Sequence, residues 1–274
     1  MLSEEDCRRI YQQAYLPEHL PDYVAAISAA QPHLHGDFLC FTRRNHLIFI
    51  GYPLGNRQAD APAAYRSACQ RFRPSTVAII APEIWLPSQT FEAQPKDEYF
   101  RLELPLRPLK PALAYMLRRA QRELRISQGP YGQEHRRLVK AFLSAGEWSR
   151  RQKAVFKRIP DYMKHCRTAR LLEARKADVL VAFTLADFGS ADFAFYLFNF
   201  RSRRLNVPGA SDLLFYEMVN LAQAQRKKAL NLGLAIHPGI RRFKEKWGGT
   251  VFLPYASAFV HRQPMGLDEL LKKL

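Results

Sequence analysis

Lys244 lies four residues after Ile240 and three before Trp247, in a run that opens on Pro238 and closes on Gly248-Gly249. Proline at the first position and glycine just past the last one bracket a helix. On that helix Ile240, Phe243, Lys244 and Trp247 share the apolar face. Lysine is almost never fully buried unless paired. An ammonium held on such a face could bind a phosphate, or stabilise the charge that develops on an attacked carbonyl oxygen. The plainer alternative is a lysine whose stem packs along Trp247 with its head in water.

A second group precedes it. Arg203, Arg204 and Gly209 stand ahead of a helix start capped by Ser211 or Asp212. Free N–H groups and the positive end of a helix dipole favour anions there, and arginine adds bidentate phosphate recognition. Arg203, Arg204, Gly209 and Ser211 are the expected phosphate-binding set, with Asp212 opposing it by its charge. Asn231 sits beside Gly233 on a short apolar run, where an amide must find hydrogen-bond partners. It is grouped with Lys244 as the catalytic pair, orienting the donor, with a purely structural hydrogen bond as the alternative. Arg241 falls outside the apolar face of the Lys244 helix and is read as a surface charge that steers an anionic substrate.

These residues need a scaffold, and residues 169–260 supply its clearest signals. Strands are expected at 169–173, 178–185 and 193–200, then a helix with a stripe of Leu214, Met218, Leu221 and Ala222. A strand at 229–235, the Lys244 helix and a strand at 250–260 complete the series. Asp187, Gly189 and Asp192 interrupt the most apolar stretch, 179–200, which argues for two strands and against a membrane span. Upstream, a polar helical region covers 3–30, followed by a hairpin of 37–41 with 46–52, a helix at 61–72 and strands at 76–80 and 99–104. A helix at 111–126 carries Leu113, Met116, Leu117, Ala120 and Leu124 on one face and Arg118, Arg122 and Arg125 on another. More helix is expected at 136–143 and 150–166. Each half thus reads as helices, a hairpin, a helix and further strand. The expected fold class is α/β with a mixed (α+β) sheet, divided into units at 1–110 and 111–274.

Composition limits the partners. Lys plus Arg number 42 against 25 acidic residues, a net charge of +17 with a pI near 10.0. Such a surface attracts tRNA or other nucleic acid, acidic lipid headgroups, or a phosphorylated cofactor. The four cysteines form no Cys-x-x-Cys pair and have no histidine cluster beside them, which argues against zinc and for free thiols in a reducing cytosol. Residues 1–15 are polar and lack the apolar segment of a signal peptide. A cytoplasmic location, with peripheral contact at the membrane surface, is the expectation. Asp187-Phe-Gly189 copies a kinase trio without its companion motifs, and Gly209-Ala-Ser211 lacks the second glycine of a nucleophile elbow.

Residues 206–255 carry a resemblance. The runs Pro208-Gly-Ala-Ser-Asp-Leu-Leu-Phe-Tyr-Glu-Met218 and Leu230-Asn-Leu-Gly-Leu-Ala-Ile-His-Pro-Gly-Ile-Arg-Arg-Phe-Lys-Glu-Lys-Trp-Gly-Gly249 are similar to the catalytic region of bacterial phosphatidylglycerol lysyltransferases. Phe243-Lys244 with Trp247-Gly248 resembles the Fem-type peptidyltransferases. Gly51-Tyr-Pro-Leu-Gly55 and Leu117-Arg-Arg-Ala-Gln-Arg-Glu-Leu124 resemble matching segments of the same group. The resemblance implies tandem GNAT-like domains that move an acyl or aminoacyl group to an amine or a hydroxyl such as that of a lipid headgroup. It implies aminoacyl-tRNA as donor and Lys244 at the reaction centre. The acetyl-CoA enzymes of this superfamily carry an Arg/Gln-x-x-Gly-x-Gly/Ala loop. The segment Arg203-Arg-Leu-Asn-Val-Pro-Gly-Ala-Ser-Asp212 departs from that spacing, so acyl-CoA is the alternative donor. A non-catalytic protein that binds RNA or an anionic surface is the reading from another class.

Overall fold

Ser3 and Asp6 form a reciprocal capping box that starts α1 (Glu4–Gln13). Pro17 and Pro21 then divide the expected 3–30 helical region into a 3-10 turn (Pro17–His19) and α2 (Pro21–Ser28). The computed structural model describes residues 2–93 and 95–262, so the last residues of the expected 111–274 unit lie outside them.

Two similar chain paths follow. In the first, β1 (Gln31–His35), β2 (Phe38–Arg43) and β3 (His46–Ile50) form an antiparallel meander, and α3 (Ala61–Phe72) crosses back to place β4 (Thr76–Ala81) parallel to β3. The short β5 (Glu92–Ala93) and then β6 (Asp97–Glu103) follow. Next come α4 (Pro111–Glu123), β7 (Arg125–Gln128), α5 (Gln133–Ser144), α6 (Arg150–Lys157) and α7 (Ile159–His165). The second path repeats the first. Strands β8 (Ala169–Lys176), β9 (Val179–Asp187) and β10 (Phe193–Arg201) form a meander, and α8 (Ala210–Ala224) crosses back to a parallel β11 (Ala229–Leu234). The chain then runs through α9 (Pro238–Lys246) and β12 (Thr250–His261).

Three local expectations need correction. The helix expected at 111–126 stops at Glu123, because Leu124 is already extended and Arg125 pairs with Arg175 across the β7–β8 edge. Arg125 therefore does not share a helix face with Arg118 and Arg122. The helix expected at 150–166 is two helices that meet at Arg158, where Pro160 cannot continue the first helix's hydrogen-bond ladder. The cap of α8 is Gly209, in the left-handed conformation, and not Ser211 or Asp212, which lie inside the first turn.

One mixed sheet carries both paths, in the order β1-β2-β3-β4-β12-β6-β11-β10-β9-β8-β7, with β5 added beside β12. The junction interleaves them. β6 pairs with β11, and β12 pairs with β6 through its first half and with β4 through its second. The core of the second path surrounds α8, where Leu213, Leu214, Phe215, Met218, Val219 and Ala222 are buried against Phe100, Leu230 and Leu232. Each of these side chains larger than alanine contributes about 1.5–3 kcal/mol by leaving water. Cys40, Cys69 and Cys166 are buried free thiols, and Cys7 is a half-buried one. No helix among the described residues is long and apolar enough to cross a membrane.

Candidate functional site

The two parallel strand pairs behave differently. β3 and β4 stay in register from His46↔Thr76 to Ile50↔Ile80, and Gly51 N–H then donates to Ile80 O at 2.7 Å. Only glycine permits that closure, since a Cβ at Gly51 would come within 2.8 Å of Ala81 Cβ. β10 and β11 pair only from Phe193↔Ala229 to Phe195↔Asn231, and then part. A bulge in each explains the divergence: β10 shifts register on β9 between Tyr196 and Phe198, and β11 on β6 between Asn231 and Gly233. Past the bulges, β10 remains bonded only to β9 and β11 only to β6, with a gap between them.

Lys244 stands at that gap. It is 2% exposed, and its Nζ donates to Gly233 O at 2.7 Å and to Leu234 O at 2.6 Å. A neighbouring strand would ordinarily satisfy carbonyls at such positions; here the ammonium does. Two of its three donors are used this way. The stem follows the apolar face of α9, and Nζ lies 5.4 Å from the centre of the Phe100 ring. Burial pulls the Lys244 pKa down to about 7, with Asp97 opposing the shift and Arg241 adding to it. Asp97 grips the same strand end from its N–H side, with Oδ1 accepting from Ala235 N at 3.1 Å and Oδ2 from Ile236 N at 2.8 Å.

α8 and α9 are locked together beside this point. Phe215 packs on Phe243 (5.5 Å) and on Trp247 (4.8 Å), and Phe243 also stacks on Tyr196 at the β10 bank of the gap (6.2 Å). Asp212 accepts from Trp247 Nε1 at 2.9 Å and is ion-paired with Lys246. Its charge is thus neutralised by α9, which removes the objection that it would repel an anion at the start of α8. Ser211 Oγ donates to Asn199 Oδ1 at 2.8 Å, and Asn199 Nδ2 donates to Thr184 Oγ1 at 2.6 Å. The backbone amides of Ser211 and Asp212 donate to no protein group among the described residues. Gly209 has φ +83, and a Cβ there would sit 3.1 Å from Met116 Cγ on α4. A recess of about 40 Å³ lies here, lined by Arg201, Ser202, Asn206, Gly209, Ser211 and Asp212 among others. Arg203 and Arg204 are exposed on the loop leading into it and form no ion pair among the described residues.

The remaining expected residues have defined surroundings. Asn231 is fully buried. Its Nδ2 donates to Tyr15 O at 2.8 Å, and its Oδ1 accepts from Gly233 N at 2.8 Å, so the amide ties the bulge to the N-terminal segment. Arg241 is half-exposed, lies 5.1 Å from the Phe100 ring and donates to Glu98 Oε2 at 2.6 Å. His237 caps α9 by accepting from Gly239 N at 3.0 Å. Sequence reasoning missed Asp97, which grips the end of β11, and Glu18, whose carboxyl faces Tyr99; both come from distant parts of the chain. No local pattern marks either one.

Two meander-plus-crossover paths on one sheet, with the parallel strands parted in the second, define a tandem GNAT-like fold. Solved structures carry the same fold. The C-terminal domain (DUF2156) of a putative lysylphosphatidylglycerol synthetase from Agrobacterium fabrum matches with a TM-score of 0.62 at 17% identity, over 98% of this chain and 94% of that one. FemX matches with a TM-score of 0.64 at 10% identity, over 93% and 96%. A tandem GNAT protein from the clavulanic acid biosynthesis pathway matches with a TM-score of 0.50 at 11% identity, over 83% and 79%. No protein-family model matches the chain, and no curated protein matches it in sequence.

Proposed function

We propose that the protein transfers an aminoacyl group from aminoacyl-tRNA to an amine or hydroxyl acceptor, directly and without a covalent enzyme intermediate. The observation that carries this reading is the buried Lys244 ammonium at a strand gap, on a helix bonded through Trp247 and Lys246 to the start of α8. The donor carbonyl enters between β10 and β11, where Lys244 and a strand N–H stabilise the oxyanion as the acceptor attacks. Arg203 and Arg204, with the free amides of Ser211 and Asp212, hold a phosphate of the donor. Arg241, half-exposed on α9, steers the anionic donor toward the gap. The net charge of +17 suits a polyanionic donor more than a single pyrophosphate does. The two GNAT-like units, expected at 1–110 and 111–274, exchange β6 and β12 within the described residues, and the reaction belongs to the second.

The test is transfer of radiolabel from a charged tRNA pool to added acceptors by the full chain, with acyl-CoA as the competing donor in calorimetry. In the Arg203→Ala/Arg204→Ala double variant, KM for charged tRNA is expected to rise roughly tenfold and the salt dependence of binding to flatten, with kcat little changed. Tight acyl-CoA binding with no tRNA-dependent transfer would reassign the donor.

A further inference from the structure

Glu18 occupies the 3-10 turn between α1 and α2, in a segment strapped across the sheet. Ser190 Oγ donates to Ala14 O at 2.6 Å, Asn231 Nδ2 to Tyr15 O at 2.8 Å, and Tyr15 OH to Pro53 O at 2.9 Å. His19 Nε2 meets Tyr52 O at 3.0 Å. This holds the Glu18 carboxyl among the phenols of Tyr23, Tyr52, Tyr99 and Tyr255. Tyr99 is paired with Leu234 on the β11 bank of the gap, and the Tyr23 ring lies 6.2 Å from Phe198 on the β10 bank. Glu18 thus faces Tyr99, the neighbour of Leu234 on the β11 bank, and Tyr23, the neighbour of Phe198 on the β10 bank. Tyr99 belongs to the sheet face opposite Phe100, the residue that Lys244 approaches.

Glu18 Oε2 and the Tyr99 hydroxyl are both sealed from solvent and face each other, with no other partner for either among the described residues, although Glu18 as a whole is only half-buried. No lysine or arginine pairs with Glu18 among the described residues. Burial pushes the carboxyl above its ordinary range, with its own N–H and the Tyr99 hydroxyl opposing the shift. A buried carboxylate with no cation is costly, and aromatic rings around an anion suit an organic ammonium.

We propose that Glu18 is the acceptor-binding carboxylate, which holds the ammonium of an incoming primary amine at the strand gap, opposite Lys244, and takes one proton from it. This rests on the transfer reading and adds the acceptor's class. The nitrogen lone pair, freed by that proton transfer, forms a bond to the donor carbonyl carbon, and the carbon–oxygen ester bond breaks. A second nitrogen proton leaves with the donor oxygen, the third stays on the new amide, and Glu18 releases its proton to water. The four tyrosines facing Glu18 are all held protonated by burial, which leaves the carboxyl as the group in this cluster that exchanges the proton.

The experiment compares n-butylammonium with n-butanol as probes of the full chain by saturation-transfer NMR. The wild type is expected to bind the ammonium at least about tenfold more tightly, a preference that Tyr99→Phe and Lys244→Ala keep and that Glu18→Gln and Glu18→Ala lose. Glu18→Gln is also expected to melt no lower than wild type at pH 8, since it removes a buried charge. Equal binding of the two probes, or an unchanged preference in both folded Glu18 variants, overturns the proposal. If Lys244→Ala abolishes transfer while butylammonium fails to bind, only the acceptor site falls. If butylammonium binds but no donor supports transfer, the transfer reading falls and the ammonium site stands.

Discussion

Lys244→Ala is expected to lower kcat by roughly 10²- to 10³-fold, the scale of removing one oxyanion donor, with KM for the donor changed far less. The size of the effect follows from position. The ammonium lies in a water-poor gap where its field is weakly screened, and the two carbonyls that hold it fix its direction before substrate arrives. Lys244→Arg is not expected to rescue the loss, because a planar fork cannot take the place of a compact ammonium between Gly233 O and Leu234 O. With a pKa of about 7, the charged form that stabilises an oxyanion is lost as pH rises through neutrality. The kcat profile should therefore fall on its alkaline side near pH 7 in the wild type. Linkage has the opposite sign for stability. The folded pKa is below the ordinary lysine value of 10.5 that the unfolded chain retains, so between about 7 and 10.5 the unfolded chain binds the additional proton. The melting temperature of wild type relative to Lys244→Met should rise with pH across that window. A variant with wild-type kcat, or a profile flat through neutrality, would remove Lys244 from the chemistry.

Asn231→Ala is expected to destabilise the fold by about 2–4 kcal/mol, because it leaves the buried Tyr15 carbonyl and Gly233 amide without partners. For a chain of this size that is a fall of roughly 5–10 °C in melting temperature. The damage should be local at first. Tyr15 is 216 positions away in sequence, so losing the bond releases the N-terminal strap from β11, and limited proteolysis should cut near residues 14–20 earlier than in wild type. A normal melting curve with abolished turnover would give Asn231 the donor-orienting role grouped with Lys244 instead.

Much of the second path was legible because its signals are local. Phe193–Arg201, Ala229–Leu234 and Pro238–Lys246 are short runs bounded by Pro and Gly, and their periodicity reads directly. The burial of Lys244 was readable too, since Ile240 and Trp247 fix its helix face. The break between α6 and α7 and the strand at Arg125 were less so. Both are decided by one residue's backbone and by an available partner strand, and a helical pattern of apolar residues hides them.

The sequence by itself determined which helix face carries Lys244, that a helix follows the basic loop, and that each half holds a hairpin, a helix and further strand. Tertiary structure alone decided that β10 and β11 part while β3 and β4 do not, that Asp212 turns to Lys246 and Trp247, and that the strap carrying Glu18 is tied to β11 by Asn231, over 200 residues away. The physical reason is range. Side-chain periodicity and capping act within a few residues, whereas bulge pairing, ion pairing across helices and an unpaired buried carboxylate exist only once distant segments share one sheet.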